Sequence, residues 1–414
     1  MTADQDNALG IYISIPFCRS KCTYCNFASG VYPASEHARY VGRLVGDLES
    51  AGVWAGQINV NLPRRVDSVY LGGGTPSLLA PDLIDHLFTT IRANFHFDVD
   101  AEVTVECAPG QIADETLDAL VAAGVNRVSL GVQSFIDREA QSSGRLHSRA
   151  IVEDDLRRLR AAGIRNINLD LIAGLAGQTF ASWQESLDAL IGAGVPHASV
   201  YMLEVDEDSR LGREMLAGGV RYHAELVPND DAIARMYTQA IDSLATAGLA
   251  QYEISNFCLP GFASRHNLRY WQRRPYLGLG LDASSMLRAP RSSRAEIPNV
   301  LRATTSDDLT AYLGASQPLE TTWHSPASQL EEAWFLGLRL NAGVRVADLQ
   351  SEFGLSAVTP ALEVVSRLAE EGLLLSEGGV VRLTARGQLL SNDVFQEFLG
   401  LANVAELVPQ QMRS

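Results

Sequence analysis

Cys18, Cys22 and Cys25 stand in the run Pro16-Phe17-Cys18-Arg19-Ser20-Lys21-Cys22-Thr23-Tyr24-Cys25-Asn26-Phe27. The C-x3-C-x2-C spacing brings three thiolates together on one loop, and thiolate sets hold zinc or iron–sulfur clusters. A closed zinc site or a fully ligated cluster needs a fourth ligand, and no Cys or His lies in the ten residues after Cys25. Three ligands on a four-iron cluster leave one iron open to bind and split a small molecule. Structural zinc completed by a distant His, or plain buried thiols, are the competing readings of the spacing. Zinc ligands usually come as a second C-x2-4-C pair elsewhere. Here Cys107 and Cys258 are single and distant, and they read as small hydrophobes.

Other polar residues fall near the ends of apolar, strand-like runs. Gly72-Gly73-Gly74-Thr75-Pro76-Ser77 follows one such run, and its glycines permit either a tight turn or a close approach to a ligand. Glu106, Gln133, Arg145 (in Gly144-Arg145-Leu146-His147) and Asp170 stand near the ends of the next three. Each alone reads as a cap or a solvated side chain. Gathered around an open-iron loop, they form a cradle for a ligand with amino, carboxylate and ribose groups.

The elements that position them are short strands alternating with amphipathic helices. The strand candidates are Gly10–Ile15, Ser68–Gly72, Ala101–Cys107, Arg127–Val132, Asn166–Ile172 and His197–Leu203, rich in Val, Ile, Tyr and Leu. Between them, Val41, Leu44, Val45 and Leu48 recur at helical spacing, as do Trp183, Leu187, Leu190 and Ile191. Ala-Gly-aliphatic recurs at Ala123-Gly124-Val125, Ala162-Gly163-Ile164, Ala193-Gly194-Val195 and Ala247-Gly248-Leu249. A glycine closing a helix before a strand begins is the mark of consecutive βα units and a parallel sheet. Six such strands predict an α/β fold with an incomplete (β/α)6 TIM-like barrel over residues 1–249, and a doubly wound open sheet is the alternative. In both, ligands sit beyond the carboxyl ends of the strands, where the cysteine loop lies. Residues 250–304 read as an aromatic and Gly-rich bridging segment. Residues 305–414 read as a small winged-helix-like α domain, with helices at Glu331–Leu340 and Ala361–Glu370 and a hairpin about Gly378-Gly379.

The whole chain sets limits. It has 414 residues, 46% hydrophobic and 20% charged, enough for a large core. The net charge of −16 repels phosphate backbones and argues against a nucleic-acid partner. Five cysteines with three clustered do not make a secreted disulfide framework. The start, Met1-Thr2-Ala3-Asp4-Gln5-Asp6-Asn7, lacks the regions of a signal peptide, so the cytoplasm is the expected compartment.

With Tyr24 before the last cysteine, the cysteine loop resembles the radical S-adenosylmethionine (SAM) superfamily. Tyr12-Ile13-Ser14-Ile15-Pro16-Phe17-Cys18, Gly72–Ser77, Ser129–Ser134, Asn168–Ile172, Tyr252–Asn256 and His266-Asn267-Leu268-Arg269-Tyr270-Trp271 resemble the oxygen-independent coproporphyrinogen III oxidase group. Within it, the chain is most similar to the HemW-type heme chaperones. The resemblance implies a [4Fe-4S] cluster on Cys18, Cys22 and Cys25, with SAM on the open iron. It implies a SAM pocket lined by Tyr12, Tyr24, Gly73, Gly74, Thr75, Glu106, Gln133, Arg145 and Asp170, and His266 as an axial heme ligand. The reduced cluster would split the sulfonium in a one-electron step. The ligand would be heme or another tetrapyrrole, and the recipient a respiratory protein that accepts heme. Contact with the membrane would be peripheral, through that recipient, and the chain a monomer or dimer.

Within the resemblance, a heme chaperone competes with a true oxidase that converts two propionates of coproporphyrinogen III to vinyl groups. The similar oxidases carry a fourth cysteine two positions after the third, where Phe27 stands here, and a longer segment ahead of the first strand. Both features favour the chaperone. A radical SAM reaction on another tetrapyrrole or a methyl-transfer substrate is a third reading. Departures from the group's usual pattern are Ser14 and Ser284 in place of His, Ala108 in place of Asn and Ala176 in place of Pro. The two lost imidazoles take proton donors and ligands from the expected tetrapyrrole cavity.

Overall fold

Six parallel strands stand where the apolar runs predict them: β1 (Leu9–Ile15), β2 (Arg65–Gly73), β3 (His96–Cys107), β4 (Arg127–Gln133), β5 (Asn166–Ala173) and β6 (His197–Met202). The computed structural model describes residues 8–290, 300–314 and 319–401. Helices connect the strands, among them Ala34–Gln57, Pro81–Asn94, Arg149–Ala161 and Phe180–Gly192. In the first, Val41, Leu44, Val45 and Leu48 are buried with Tyr40 and Trp54, and each large apolar side chain removed from water stabilises by about 1.5–3 kcal/mol. In the fourth, Trp183, Leu187 and Leu190 are buried, and Ile191 packs at the margin. Gly124, Gly163, Gly194 and Gly248, each just past a helix, take left-handed φ values of 60–89°, as the Ala-Gly pattern requires.

The strands are two-faced, and this builds the site. Ile11, Ile13, Ile15, Val69, Leu71, Val103, Val105, Val128, Leu130, Leu169, Leu171 and Val200 point to the helices and form one apolar core. The alternate positions are polar. Tyr12 pairs in register with Tyr70, Tyr70 with Thr104, Glu106 with Ser129, Ser129 with Asn168, and Asp170 with Ser199. With a side-chain period of two, these residues share the other, concave face.

The sheet does not end at β6. Strands β7 (Ala250–Glu253) and β8 (Asn256–Cys258) extend it antiparallel beyond β6. On the other side, β9 (Tyr276–Leu279) lies parallel to β1, followed by antiparallel β10 (Ser284–Arg288), β11 (Val300–Thr305) and β12 (Leu319–His324). The order is β12-β11-β10-β9-β1-β2-β3-β4-β5-β6-β8-β7, an open, incomplete barrel. Residues 250–304, read from sequence as a bridge, thus supply strands to both flanks of the sheet.

Two pieces close what the sheet leaves open. The helix Arg265–Trp271 enters at the amino ends of the strands. Ser264 Oγ and the His266 amide donate to Glu102, Arg265 pairs with Asp100, and Arg269 pairs with Asp67 while donating to the carbonyls of Ala8 and Pro275. The helix Pro326–Leu338 then runs between the sheet's two edges. At its start Gln329 donates to the His324 carbonyl and Glu332 takes both oxygens to Arg302. Just past its end, Ile254 bonds to the Arg339 carbonyl and Asn341 to that of Tyr252. Thirteen residues at 1.5 Å each reach about 20 Å. This helix opens a second core with Val346–Phe353, Leu355–Glu370 and a three-stranded sheet, β13 (Val344–Arg345), β14 (Leu374–Glu377) and β15 (Val380–Leu383), in the order β13-β15-β14. Gly378-Gly379 makes the hairpin turn, completing the winged-helix-like shape.

Candidate cofactor site at the carboxyl ends of the strands

The cysteine loop leaves β1 and is tied down on every side. The Cys18 amide bonds to the Gly30 carbonyl at 2.8 Å, and Lys21 Nζ gathers the carbonyls of Phe27 and Ser29 at 2.7 and 2.9 Å. The Gly-rich run at the end of β2 grips the loop from one side: the Gly74 amide bonds to the Ile15 carbonyl and the Thr75 amide to that of Phe17. A Cβ on Gly74 would lie 2.7–2.9 Å from backbone atoms of Ile15, Pro16 and Phe17, so only glycine lets the two chains meet. From the other side the Thr23 amide bonds to the Ser143 carbonyl, and the Gly144 backbone lies against Cys22. A flap after β6 covers the loop, with Leu211 N bonded to Thr23 O, Arg210 to Lys21 O, and Asn26 to Asp206.

All three cysteines are free and partly buried. Burial pushes the Cys18 thiol up, against the contacts from Ser29 and Thr75. Among the described residues, no three His, Cys, Asp or Glu side chains converge as on one metal ion.

Glu106, Asp170, Arg145, Gln133 and Tyr24 follow on the concave face. Glu106 is held by two donors: Tyr70 Oη at 2.7 Å on one oxygen, and the Gly73 amide at 3.1 Å on the other. Burial, reinforced by Asp170, pushes its pKa up to about 7. Asp170 accepts from Ser129 and Asn168, and burial raises it too. Burial works against the Arg145 charge, but Tyr24, Cys22 and Asp170 hold it firmly protonated. Tyr24 is driven up by burial, with Arg145 opposing. Gln133 sits at φ 69° where β4 slips register against β5. A side chain held in the left-handed region at a bulge marks a re-aimed residue. Gln133 Oε1 and Arg145 Nε are buried without a hydrogen-bond partner. Orphaned polar atoms beside a thiol loop fit a bound polar ligand.

The structure therefore brings together the three cysteines, Tyr24, Gly73, Gly74, Thr75, Glu106, Gln133, Arg145 and Asp170. Tyr12 lies one layer deeper, 6.1 Å from the Tyr70 ring. His266 stands apart from the cysteine loop, on the closing helix at the opposite strand ends. It is 1% exposed, with Nδ1 3.1 Å from Ser68 Oγ and Nε2 2.9 Å from Oη of Tyr270, four residues on in the same helix. Each ring nitrogen has a hydroxyl within hydrogen-bond distance. Ser14 is buried beside Gly73 and Gly280, while Ser284 is exposed and meets Thr304. Tyr70, Ser129 and Asn168, which hold the two carboxylates, were not read from sequence. Their signal was the alternation of polar residues along otherwise apolar strands.

Family models match the chain to the radical SAM superfamily over residues 12–190 and to the HemN C-terminal domain over residues 325–390. The chain is 34% identical to the heme chaperone HemW of Bacillus subtilis over 391 residues, covering 94% of this chain and 98% of that one. It is 32% identical to heme chaperone HemW of Lactococcus lactis, covering 94% and 96%. The chain belongs to the HemW family. Coproporphyrinogen III oxidase (HemN) of Escherichia coli has the same fold, with a TM-score of 0.79 at 22% identity over 95% of this chain and 90% of that one. Membership of the HemW family, within the radical SAM superfamily, implies a [4Fe-4S] cluster and SAM as cofactors. No helix of the described residues is long and apolar enough to cross a membrane.

Proposed function

We propose that this protein is a heme chaperone built on a radical SAM scaffold, receiving heme and passing it to a respiratory heme protein. The observation that carries this reading is the full-length match to relatives named heme chaperones, at 32–34% identity. Cys18, Cys22 and Cys25 would hold the cluster and leave one iron for SAM. When bound, the cluster supplies an electron to the sulfonium. The protein's own part is to bind and orient. Glu106, fixed by Tyr70 and Gly73, offers a carboxylate to the amino group of SAM. Arg145 and Gln133, with buried unpartnered atoms, offer a donor and an acceptor to its polar groups. Asp170, held by Ser129 and Asn168, offers oxygens to ribose hydroxyls. The flap over the loop keeps water from the cluster.

The oxidase reading is disfavoured at Phe27, which stands 64% exposed where the similar oxidases carry a fourth cysteine. Anaerobic incubation of the reconstituted protein with coproporphyrinogen III, SAM and a reductant should yield no vinyl product. Formation of protoporphyrinogen IX would replace the chaperone with the oxidase. This reading places the protein in the cytoplasm, meeting the membrane only through its recipient.

A further inference from the structure

We propose that Lys21 is a positioning residue of the cluster loop: its ammonium clamps the returning end of the loop, holds the Ser29 hydroxyl beside two of the cysteines, and raises the reduction potential of the cluster they carry. The inference rests on the reading of Cys18, Cys22 and Cys25 as cluster ligands.

The chain has 33 lysine and arginine residues, and Lys21 alone among them is a lysine. At every other such position a guanidinium serves. Lys21 directly precedes Cys22, and its Nζ reaches past Cys22 and Cys25 to the carbonyls of Phe27 at 2.7 Å and Ser29 at 2.9 Å. These carbonyls belong to one tight turn, in which the Ser29 amide also bonds to Phe27 O at 2.7 Å. A guanidinium is a flat fork matched to the two oxygens of one carboxylate. An ammonium is compact with three diverging donors, so it can serve carbonyls of two residues and keep a third N–H. The clamped turn leads into Gly30, whose carbonyl takes the Cys18 amide and whose amide bonds to Pro16 O, both at 2.8 Å. Ser29 itself is 7% exposed. Its hydroxyl contacts the Cys18 thiol and lies 3.9 Å from Cys25 Sγ. Lys21 thus fixes the backbone of the residue whose side chain meets two sulfurs. Hydrogen bonds to the sulfurs and nearby charge are what set a cluster's potential. Among the described residues Lys21 meets no carboxylate, so its charge is not cancelled locally in a chain of net charge −16. A positive charge favours the reduced, more negative form of the cluster.

The test is a titration of the full, anaerobically reconstituted chain with titanium(III) citrate, read by the EPR signal of the reduced cluster. Iron content and the rate of iron loss to a chelator are measured on the same samples. Lys21→Met keeps the stem without the charge. It should shift the redox equilibrium about threefold to tenfold toward the oxidised cluster, lowering the potential by about 30–60 mV, and should lose iron faster. Lys21→Arg keeps the charge without the clamp, so its potential should stay near that of the wild type while iron is lost faster. Ser29→Ala should also lower the potential, and adding it to Lys21→Met should cost less than the sum, because the lysine acts partly through that hydroxyl. Acetylating the loaded wild-type protein with an N-hydroxysuccinimide ester strikes Lys21 as its one side-chain amine. The potential should fall as in Lys21→Met, which serves if that variant does not fold; Lys21→Arg controls for labelling of the amino terminus. A Lys21→Met or acetylated protein with the wild-type potential would overturn the proposal. So would a Lys21→Arg protein that holds iron as well as the wild type. If Cys22→Ala retains its full iron, the ligand reading falls along with this one. Iron lost from Cys22→Ala, with potential and iron unchanged in Lys21→Met, overturns the role of Lys21 alone.

Discussion

Gly74→Ala should loosen the cysteine loop without touching a cysteine. The new methyl would stand 2.7 Å from the Ile15 carbonyl oxygen and 2.9 Å from both the Pro16 carbon and the Phe17 oxygen. These are backbone atoms, so no rotamer change relieves the contact, and overpacking of this kind costs about 1–3 kcal/mol. Moving the chains apart instead strains the bonds from Gly74 N to Ile15 O and from Thr75 N to Phe17 O, at 2.9 and 2.8 Å, each worth about 1 kcal/mol. The loss should come to about 2–4 kcal/mol, lowering Tm by roughly 2–5 °C in a chain of this size. Iron retained after anaerobic reconstitution should fall with it, because Cys18 immediately follows the displaced residues. Gly42→Ala is the control: it lies exposed in the helix Ala34–Gln57 with nothing within 4 Å of the added atom, and should stabilise by about 0.5–1 kcal/mol. A Gly74→Ala protein that melts with the wild type and holds full iron would refute the claim that this glycine seats the loop.

Cys22→Ala should abolish the absorption near ~400 nm of the reconstituted cluster, and a full iron complement in that variant would sink the three-ligand assignment. Asp170→Ala should weaken SAM binding while iron content stays intact; equal affinity by calorimetry would remove Asp170 from the pocket. Glu106 gives a pH signature. Its folded pKa, raised by burial to about 7, exceeds the ordinary 4.5 of a glutamate, so the native state holds more protons between those values. Stability should therefore fall as pH rises from about 4.5 to about 7 and level off above, by an amount on the order of 3 kcal/mol. Glu106→Gln should remove that slope from urea titrations run across the range. A slope that survives the substitution would belong to another group. SAM affinity should move the opposite way, weakening as pH falls below about 7 and Glu106 loses the charge that meets the amino group.

The sequence carried the parallel strands and the cysteine loop well because both are local. Val41, Leu44, Val45 and Leu48 declare a helix face by spacing alone, and Cys18, Cys22 and Cys25 lie on one loop. Glu106, Gln133 and Asp170 were legible because strand ends in a parallel sheet point to one side. What was hidden is long-range. Ser68 meets His266 across 198 positions, and Leu211 meets Thr23 through the flap, and neither partner shows in a local pattern. The extra strands β9 to β12 were missed because they are short and gain their place by pairing, β9 with β1 and β10, β11 and β12 each with the strand before it. The role of His266 as a heme ligand came from the resemblance of its run to the family motif, and the run's own polar residues do not show where they pack. Their partners, Glu102, Ser68 and Asp67, are charged or polar residues within the strands, and they turn the segment into a stopper.

The most direct test of the chaperone reading is an anaerobic heme titration of the cluster-reconstituted wild-type protein, followed by the Soret band. The account predicts saturation at one heme per chain, with the bound heme released to an apo heme protein added afterwards. A flat titration with an intact cluster would contradict it and leave a radical SAM reaction on another substrate as the function of this scaffold.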